Sequence, residues 1–591
     1  MKKLVSVLLT LCLLSTMLVI PAMAAGFTAG TYTAAAKGMN GDVTVEVVFE
    51  ADKIVSVVVT SHSETPGLSD PAIANVPAAI VEQQSLAVDT VAGATVTSKA
   101  ILAAVEECVK LAGGDPAALT GVAAAEEAAK EAKEMTADVV VVGAGMAGMS
   151  AALAAKEAGA DVILIDKMSV TGGTTNLAGG ILVCIDSELF EPVQMEADSM
   201  EAITAYWELH MAQSGVESGY PDWDRLTDVL ADTGKTVDWF VANGIEFGET
   251  PFPMSSTYPM ALANGGGSGL IKMLENCVVS KGVQLITECK ATELVTDETG
   301  AVVGVIAETK DAVITFKADS VVMCTGGISQ NEELVEKYSP KLTRAGLIPT
   351  SAVSHTGEGF LMALEVGAGT FDVFATPLYT TTFDPALKDA TGLSILGQLG
   401  VNANGDRFAN EAAGAGWDTM DYTPSDMIQD GNAPFWYVYD SSDPAIAAVL
   451  EAGVADGVVA KGNTAAELAL GMHVYTKNFV NAFETYNDAA EAGVDAEFGK
   501  DAAFLKALNV APFYAVKVYP TTFGSAGGVT TTEDGRVTTQ DGTVIPGLYA
   551  AGEMSNRYFY NENYILAASL GLYSTMGRRA GDAAAQDALA K

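Results

Sequence analysis

Apolar positions alternate with polar ones from Val43 to Phe49 and again from Ile54 to Val59, and the turn Ala51-Asp52-Lys53 separates the two runs. A period of two puts one face of each run in a core and the other in water, so Gly30 to Ser61 predicts a β-hairpin. The loop His62-Ser63-Glu64-Thr65-Pro66-Gly67 and a helical stretch follow. The segment Asp89-Thr90-Val91-Ala92-Gly93-Ala94-Thr95-Val96-Thr97-Ser98 then leads into a helix over Lys99 to Leu111. Further along, Ala137 to Val142 is a largely apolar run of strand length. It meets the glycine turn Gly143-Ala144-Gly145-Met146-Ala147-Gly148, which opens a helix of small residues to about Gly159. A second strand, Asp161 to Ile165, ends in Asp166, 23 residues past Gly143.

Strand, glycine turn, helix, strand and acid in this order predict a Rossmann βαβ unit. Gly143 makes the turn, Gly145 admits a pyrophosphate, Gly148 lets helix pack on strand, and Asp166 accepts from ribose hydroxyls. Gly172-Gly173-Thr174-Thr175 and Gly179-Gly180 supply further backbone-rich turns, suited to the diphosphate and isoalloxazine of FAD. Later, Ser320 to Met323 leads into Cys324-Thr325-Gly326-Gly327, and Pro546 to Ala551 leads into Gly552-Glu553, each a strand followed by glycine.

A chain of 591 residues exceeds one hydrophobic core, and its 49% hydrophobic content supplies two to four. Residues 1–24 have a basic start (Lys2, Lys3), an apolar run and the small-residue end Ala22-Met23-Ala24, the pattern of an export signal. No later stretch holds about 18 consecutive apolar residues, so no second span is expected. Losing Lys2 and Lys3 takes the formal charge from -42 to -44, which argues against nucleic acid or anionic lipid as a partner. Five cysteines remain after the signal, with no C-x-x-C and only 4 histidines in the chain. No metal site, haem or disulfide framework is expected, and the cysteines read as small buried hydrophobes. Residues 116–136, rich in Ala, Glu and Lys, predict a helical tether.

The Asp89–Ser98 segment resembles the flavinylation motif of FMN-binding domains in sodium-pumping quinone reductases and two-flavin periplasmic reductases. In that family a flavin transferase joins FMN to a threonine hydroxyl as a phosphoester. Carried over, Thr95 is the first choice of acceptor and Thr97 the second, with Ala92 standing where the family has Ser or Thr. The alternative is that Thr97 or Ser98 only caps a helix.

The turns from Gly143 onward, with Thr356-Gly357-Glu358-Gly359, Gly405-Asp406-Arg407-Phe408-Ala409-Asn410-Glu411 and Gly577-Arg578-Arg579-Ala580-Gly581, resemble the fumarate reductase and succinate dehydrogenase flavoprotein family, which includes urocanate reductases and ketosteroid dehydrogenases. The resemblance implies an α/β chain: a small α+β FMN-binding domain (25–115), the linker, and a Rossmann-type domain binding non-covalent FAD (137–370 and 513–591), interrupted by an α+β capping domain (371–512). It also implies that Lys167, Ala291, Glu358, Ser569 and Leu570 join the glycine turns in holding FAD.

The catalytic residues of fumarate reductase do not carry over. Its proton-donating arginine falls on Ala415, its carboxylate-binding arginine on Tyr564, its late histidine near Phe523-Gly524 and its cap histidine near Thr376. A dicarboxylate needs fixed cations on leaving water, so fumarate is excluded as substrate. Reduction of a carbon-carbon double bond needs hydride from the flavin, a proton donor and a group that stabilises the developing enolate. Tyr564, Arg557 and Tyr379 are the candidates for these roles. The expected function is an exported ene-reductase, taking electrons from a membrane or extracellular donor through FMN to FAD and acting on an enone or unsaturated monocarboxylate in anaerobic respiration. The alternatives are a dehydrogenase running the other way and a non-catalytic flavin carrier.

Overall fold

The computed structural model describes residues 26–39, 41–64, 69–91, 94–120, 130–191, 198–213, 219–248, 258–375, 380–387, 393, 399–412, 431–561, 565 and 567–591. The expected export signal, Thr65 to Gly67 and the Ala92-Gly93 pair lie outside them. Contacts divide the chain into two units, Met1–Ala128 and Ala129–Lys591.

In the first unit three antiparallel strands, Gly30–Lys37, Asp42–Glu50 and Lys53–Ser61, form a meander. The expected hairpin thus gains a strand, whose Thr-Ala-Ala-Ala composition gives weak apolar alternation and which is held by its pairing with Asp42–Glu50. Val43, Val45, Val47 and Phe49 are buried on one face. Two helices, Asp70–Gln83 and Thr95–Leu111, pack there, the second through Ala100, Ile101, Ala104, Val105 and Cys108.

Of the expected helical tether, residues 121–129 lie outside the described residues, and its two described ends differ. Pro116–Thr120 is a short helix that belongs to the first unit, because Leu119 is buried and its carbonyl accepts from Leu86 N and Ser85 Oγ. Residues 131–136 are strand instead: they begin Glu131–Val142, which pairs in parallel with Ala312–Met323 along its whole length. Backbone pairing overrides helix propensity here, since the side chains of Glu131 to Glu134 are exposed.

The core of the second unit is an eight-stranded sheet. Its parallel strands run in the order Val544–Ala550, Ala312–Met323, Glu131–Val142, Val162–Ile165 and Gln284–Ile286, with Arg536–Thr538 antiparallel at one edge. Helices Met146–Glu157 and Ala568–Leu589 pack together on one face. The expected βαβ unit is therefore central, and the carboxyl ends of four strands, Glu131–Val142, Val162–Ile165, Ala312–Met323 and Val544–Ala550, converge on one crevice, where open α/β sheets bind ligands.

A six-stranded sheet forms the cap. Its central strand, Phe513–Thr522, pairs with Phe435–Tyr439, Val459–Gly462, Thr380–Phe383 and Ile348–Pro349. The cap sheet thus extends past the expected boundary at residue 512 and takes a strand from before 371. Its Val-Tyr-Pro-Thr-Thr segment is apolar enough for either core, and only pairing assigns it. Arg407 ties the cap internally. Its guanidinium reaches Glu411 at 2.9 Å and Asp495 at 2.8 Å, and Lys500 Nζ lies 3.1 Å from Glu411, with every one of these side chains at most 2% exposed.

Candidate functional site

The crevice at the strand ends is a cleft lined from the glycine turn at Gly143 to Glu553. At its floor the glycine turn behaves as its spacing demands. Gly143 has φ +102°, and a Cβ at Gly148 would lie 1.8 Å from the Gly143 carbonyl oxygen, so only glycine lets the helix sit this close. At Gly145 the nearest atom to an added Cβ is 3.7 Å away, because that Cα faces the open cleft. Helix Met146–Glu157 starts with no side-chain cap, leaving its first N–H groups for an anion. Met146 and Ala147 line the cleft. Ala144 does not: its N–H donates to Asp166 Oδ2 at 2.7 Å and its carbonyl accepts from Gly172 N at 2.8 Å.

Asp166 lines the cleft and also clamps the turn, accepting from Ala144 and from Met168 N at 2.8 Å. Burial raises its pKa against these bonds. Lys167 donates to Glu358 at 2.9 Å and Thr356 at 2.6 Å, and Lys290 reaches Glu358 at 3.2 Å. Burial works to raise the Glu358 pKa, but hydrogen bonds from Thr356 and Lys167 outweigh it and hold it at about 2. Gly172, Gly173, Thr174, Thr175, Ala291, Thr325, Gly326, Gly552 and Glu553 line the same cleft. Gly179 and Gly180 do not; they back it, packed against Gly266. Gly327 backs it too, where a Cβ would meet Ser525 Oγ at 2.3 Å.

A second cavity adjoins the first, and Thr174, Thr175, Glu553 and Tyr573 belong to both walls. Ser569 and Leu570, in the uncapped first turn of helix Ala568–Leu589, line it with Phe523, Ser525, Asn556 and Tyr560. Asn556 Nδ2 donates to Tyr573 Oη at 2.6 Å and to the Ser525 carbonyl at 3.0 Å, while Asn556 Oδ1 accepts from Gly527 N at 2.8 Å. Tyr560 lies 3.2 Å from Ser569 Oγ and stacks on Trp207. Burial pushes the Glu553 carboxyl up to about 8, against one hydrogen bond from Ser525 N. Burial and the Lys167 charge lower His355 to about 4.

The residues fit FAD. A glycine turn without Cβ atoms, an uncapped helix start, a carboxylate at the second strand and the buried His355 Nδ1, which has no hydrogen-bond partner among the described residues, all edge one cleft. In the first unit Thr95 is exposed at the start of its helix, whereas Thr97 is buried and its Oγ1 donates to Glu64 Oε2.

Of the expected catalytic residues, Arg557 lines neither cavity. Its guanidinium donates to the carbonyls of Tyr560, Asn561 and Val373 and lies 4.2 Å over the Tyr220 ring, which satisfies a buried cation without any substrate. Tyr564, Tyr379, Ala415 and Thr376 lie outside the described residues. Asn556 and Lys290 were not anticipated as site residues. Tyr560 and Tyr573 belong to the four-tyrosine, one-arginine stretch from Arg557 to Tyr573, whose composition favours an aromatic or enone-bearing substrate over a small dianion, and helical spacing sets Tyr573 on the same face as Ser569 and Leu570. The five cysteines among the described residues are free and buried, as expected of small hydrophobes. Among the described residues there is no cluster that could hold a metal, and no helix long and apolar enough to cross a membrane.

The FAD binding domain model matches residues 138–564, and the FMN-binding domain model matches residues 38–110. The urocanate reductase of Eggerthella lenta is 32% identical over 552 residues, 90% of this chain and 88% of that protein. The NADH:acrylate oxidoreductase of Vibrio harveyi is 29% identical over 624 residues, 94% of this chain, which spans only 61% of that longer protein. Among solved structures, the open conformation of a flavocytochrome c3 fumarate reductase superposes with TM-score 0.58 at 26% identity, covering 77% of this chain and 79% of that one. A 3-ketosteroid-Δ4-(5α)-dehydrogenase from Rhodococcus jostii superposes with TM-score 0.57 at 26% identity, covering 77% of this chain and 99% of that one. The chain belongs to the fumarate reductase and succinate dehydrogenase family of FAD-binding flavoproteins, with an FMN-binding domain at its amino terminus.

Proposed function

We propose that this protein is an exported two-flavin oxidoreductase that reduces the carbon-carbon double bond of an activated alkene, with electrons entering through FMN. The observation that carries the reading is the shared wall: the cradle that fits FAD and a second, largely apolar cavity meet at Thr174, Thr175, Glu553 and Tyr573. Reduced FAD, when bound, supplies hydride to one alkene carbon. The residues of the second cavity hold the alkene against that wall and exclude water. Relatives of this chain include an acrylate, a urocanate and a vinyl phenol reductase, each named for an activated double bond.

FMN is held in the first unit through a phosphoester to Thr95, made by a flavin transferase. Its exposed hydroxyl at a helix start supports this choice, and Thr97, turned inward to Glu64, is the weaker acceptor. The export signal in residues 1–24 and the acidic composition support a place outside the cytoplasm, with a membrane or extracellular donor feeding the FMN. Anaerobic reoxidation of the dithionite-reduced protein by fumarate, urocanate, cinnamates and ketosteroids tests the activity, with the saturated product identified by chromatography. Enzymatic reoxidation by fumarate would overturn its exclusion as substrate.

A further inference from the structure

We propose that Glu553 is the acid that protonates the alkene, and that His355 is the positioning residue that takes up the charge left on it. This rests on the ene-reduction reading and supplies its proton donor.

The reaction delivers hydride to one carbon of the double bond and needs a proton at the other. The arginine that serves fumarate reductase falls on Ala415 here, and the Arg557 guanidinium is committed to backbone carbonyls. Among the described residues the wall of the second cavity holds no Asp, His, Lys or Arg, and its one carboxyl is Glu553. The phenols of Tyr560 and Tyr573 share that wall, but a carboxylic acid gives up a proton more readily than a phenol. Glu553 also lines the flavin cleft, so it stands where hydride and alkene meet.

The carboxyl is anchored through one oxygen only. Oε2 accepts from Ser525 N at 3.0 Å, and Oε1 has no hydrogen-bond partner among the described residues. Neither Gly327 nor Gly524 has room for a Cβ beside these oxygens, so the carboxyl lies against bare backbone. The titratable and charged groups around it are His355, Tyr560 and Tyr573, the thiols of Cys289 and Cys324, and Asp166, Lys167, Lys290 and Glu358 along the cleft. Neither lysine pairs with Glu553; both reach Glu358 instead. Burial without a cation pushes the Glu553 carboxyl up to about 8, which keeps a proton on it at neutral pH.

His355 lowers the cost of losing that proton. Thr174 Oγ1 accepts from Ala352 N at 3.0 Å and gives its own proton to His355 Nε2, also 3.0 Å away. The imidazole hydrogen then sits on Nδ1, which faces Glu553 Oε2 at 3.5 Å and has no hydrogen-bond partner among the described residues. That separation is long for a bond to the neutral acid, and it closes on a carboxylate, which holds such a donor about twice as strongly. Hydride brings both electrons to one alkene carbon as the flavin is oxidised. The Glu553 O–H bond breaks as the C–H bond at the other carbon forms, its electron pair stays on the carboxylate, and water entering after product release returns the proton.

The test uses reduced, FAD-loaded protein under anaerobic conditions, with urocanate, cinnamate and 4-androstene-3,17-dione as alkenes. Ferricyanide, which takes electrons without a proton to carbon, is the control. On the fastest alkene Glu553→Gln should lose kcat about 100-fold or more with KM within about threefold, while FAD content and ferricyanide reoxidation stay within about twofold of the parent. The parent kcat should fall about tenfold per pH unit above about pH 8, and His355→Leu, which removes the donor to the carboxylate, should move that limb to higher pH. A Glu553→Gln protein with kcat within about threefold of the parent overturns the inference. So does one that loses alkene and ferricyanide reoxidation together, which would leave Glu553 a flavin-holding residue. A parent kcat that stays level from about pH 6 to 9 overturns it whether or not the variant folds, and a limb unmoved in His355→Leu overturns the part given to His355. Failure of the parent with every alkene overturns the ene-reduction reading itself.

Discussion

The imidazole Nδ1 of His355 faces the carboxylate Oε2 of Glu553 at 3.5 Å, with both side chains nearly sealed from water. Neither is in its ordinary titration range, since burial drives the acid up to about 8 and the base down to about 4. Both therefore favour the neutral form through the middle of the pH scale.

The pH dependence of the flavin-free protein follows. A folded Glu553 pKa above its unfolded value means that the folded state binds a proton the unfolded state releases. Its contribution is complete below about pH 4.5 and is lost as pH rises through about 8. For His355 the sign reverses: its neutral form is favoured, so stability is complete above about pH 6.5 and falls as pH drops through about 4. Between pH 6.5 and 8 only Glu553 acts. The melting temperature of the parent relative to Glu553→Gln should fall by about 2 °C across that window. Parallel pH profiles for the two proteins would contradict the assignment.

Gly145 and Gly148 should separate binding from folding. Gly145→Ala adds a methyl to open cleft space, so the flavin-free protein should melt within about 1 °C of the parent while FAD affinity falls at least about tenfold. Gly148→Ala drives a methyl into the Gly143 carbonyl and should cost about 2 kcal/mol or more in urea denaturation. Equal effects of the two on stability would contradict the geometry.

The flavin of the first unit can be followed in a denaturing gel. The parent band should fluoresce, Thr95→Ala should be dark, and Thr97→Ala should keep fluorescence. A dark parent band would refute covalent attachment, and a dark Thr97→Ala beside a bright Thr95→Ala would reverse the acceptor.

The cap depends on its buried ion cluster. Arg407→Met leaves Asp495 buried without its cation and Glu411 with Lys500 alone, and should cost about 3–5 kcal/mol in urea denaturation. Lys461→Met removes a largely exposed pair with Glu451 and should cost under about 1 kcal/mol. Equal costs would show that burial does not set the strength of these pairs.

Much of the FAD cradle was legible because its chemistry constrains the backbone. Gly143, Gly145 and Gly148 are required by close approach, and such requirements print themselves on sequence. The meander of the first unit was legible wherever alternation was strong, at Val43 to Phe49, and illegible at Gly30–Lys37, which is held by pairing alone. Pairing also claimed residues 131–136 from a helical composition and Phe513–Thr522 for the cap. The second cavity was the least legible part. Asn556 and Tyr573 meet across 17 residues of chain through one hydrogen bond, which no spacing rule anticipates. Arg557 looked like a carboxylate receptor by residue type, whereas its partners are backbone carbonyls, which carry no sequence signature.

The central claim is that electrons stored on the flavins leave to a carbon-carbon double bond. The most direct measurement is anaerobic mixing of fully reduced protein with the alkene panel, following flavin absorbance and product together. The account predicts rapid reoxidation by at least one activated alkene, with one saturated product formed per two electrons. Reoxidation by one-electron acceptors alone, with every alkene unchanged, would contradict it and leave a flavin electron carrier.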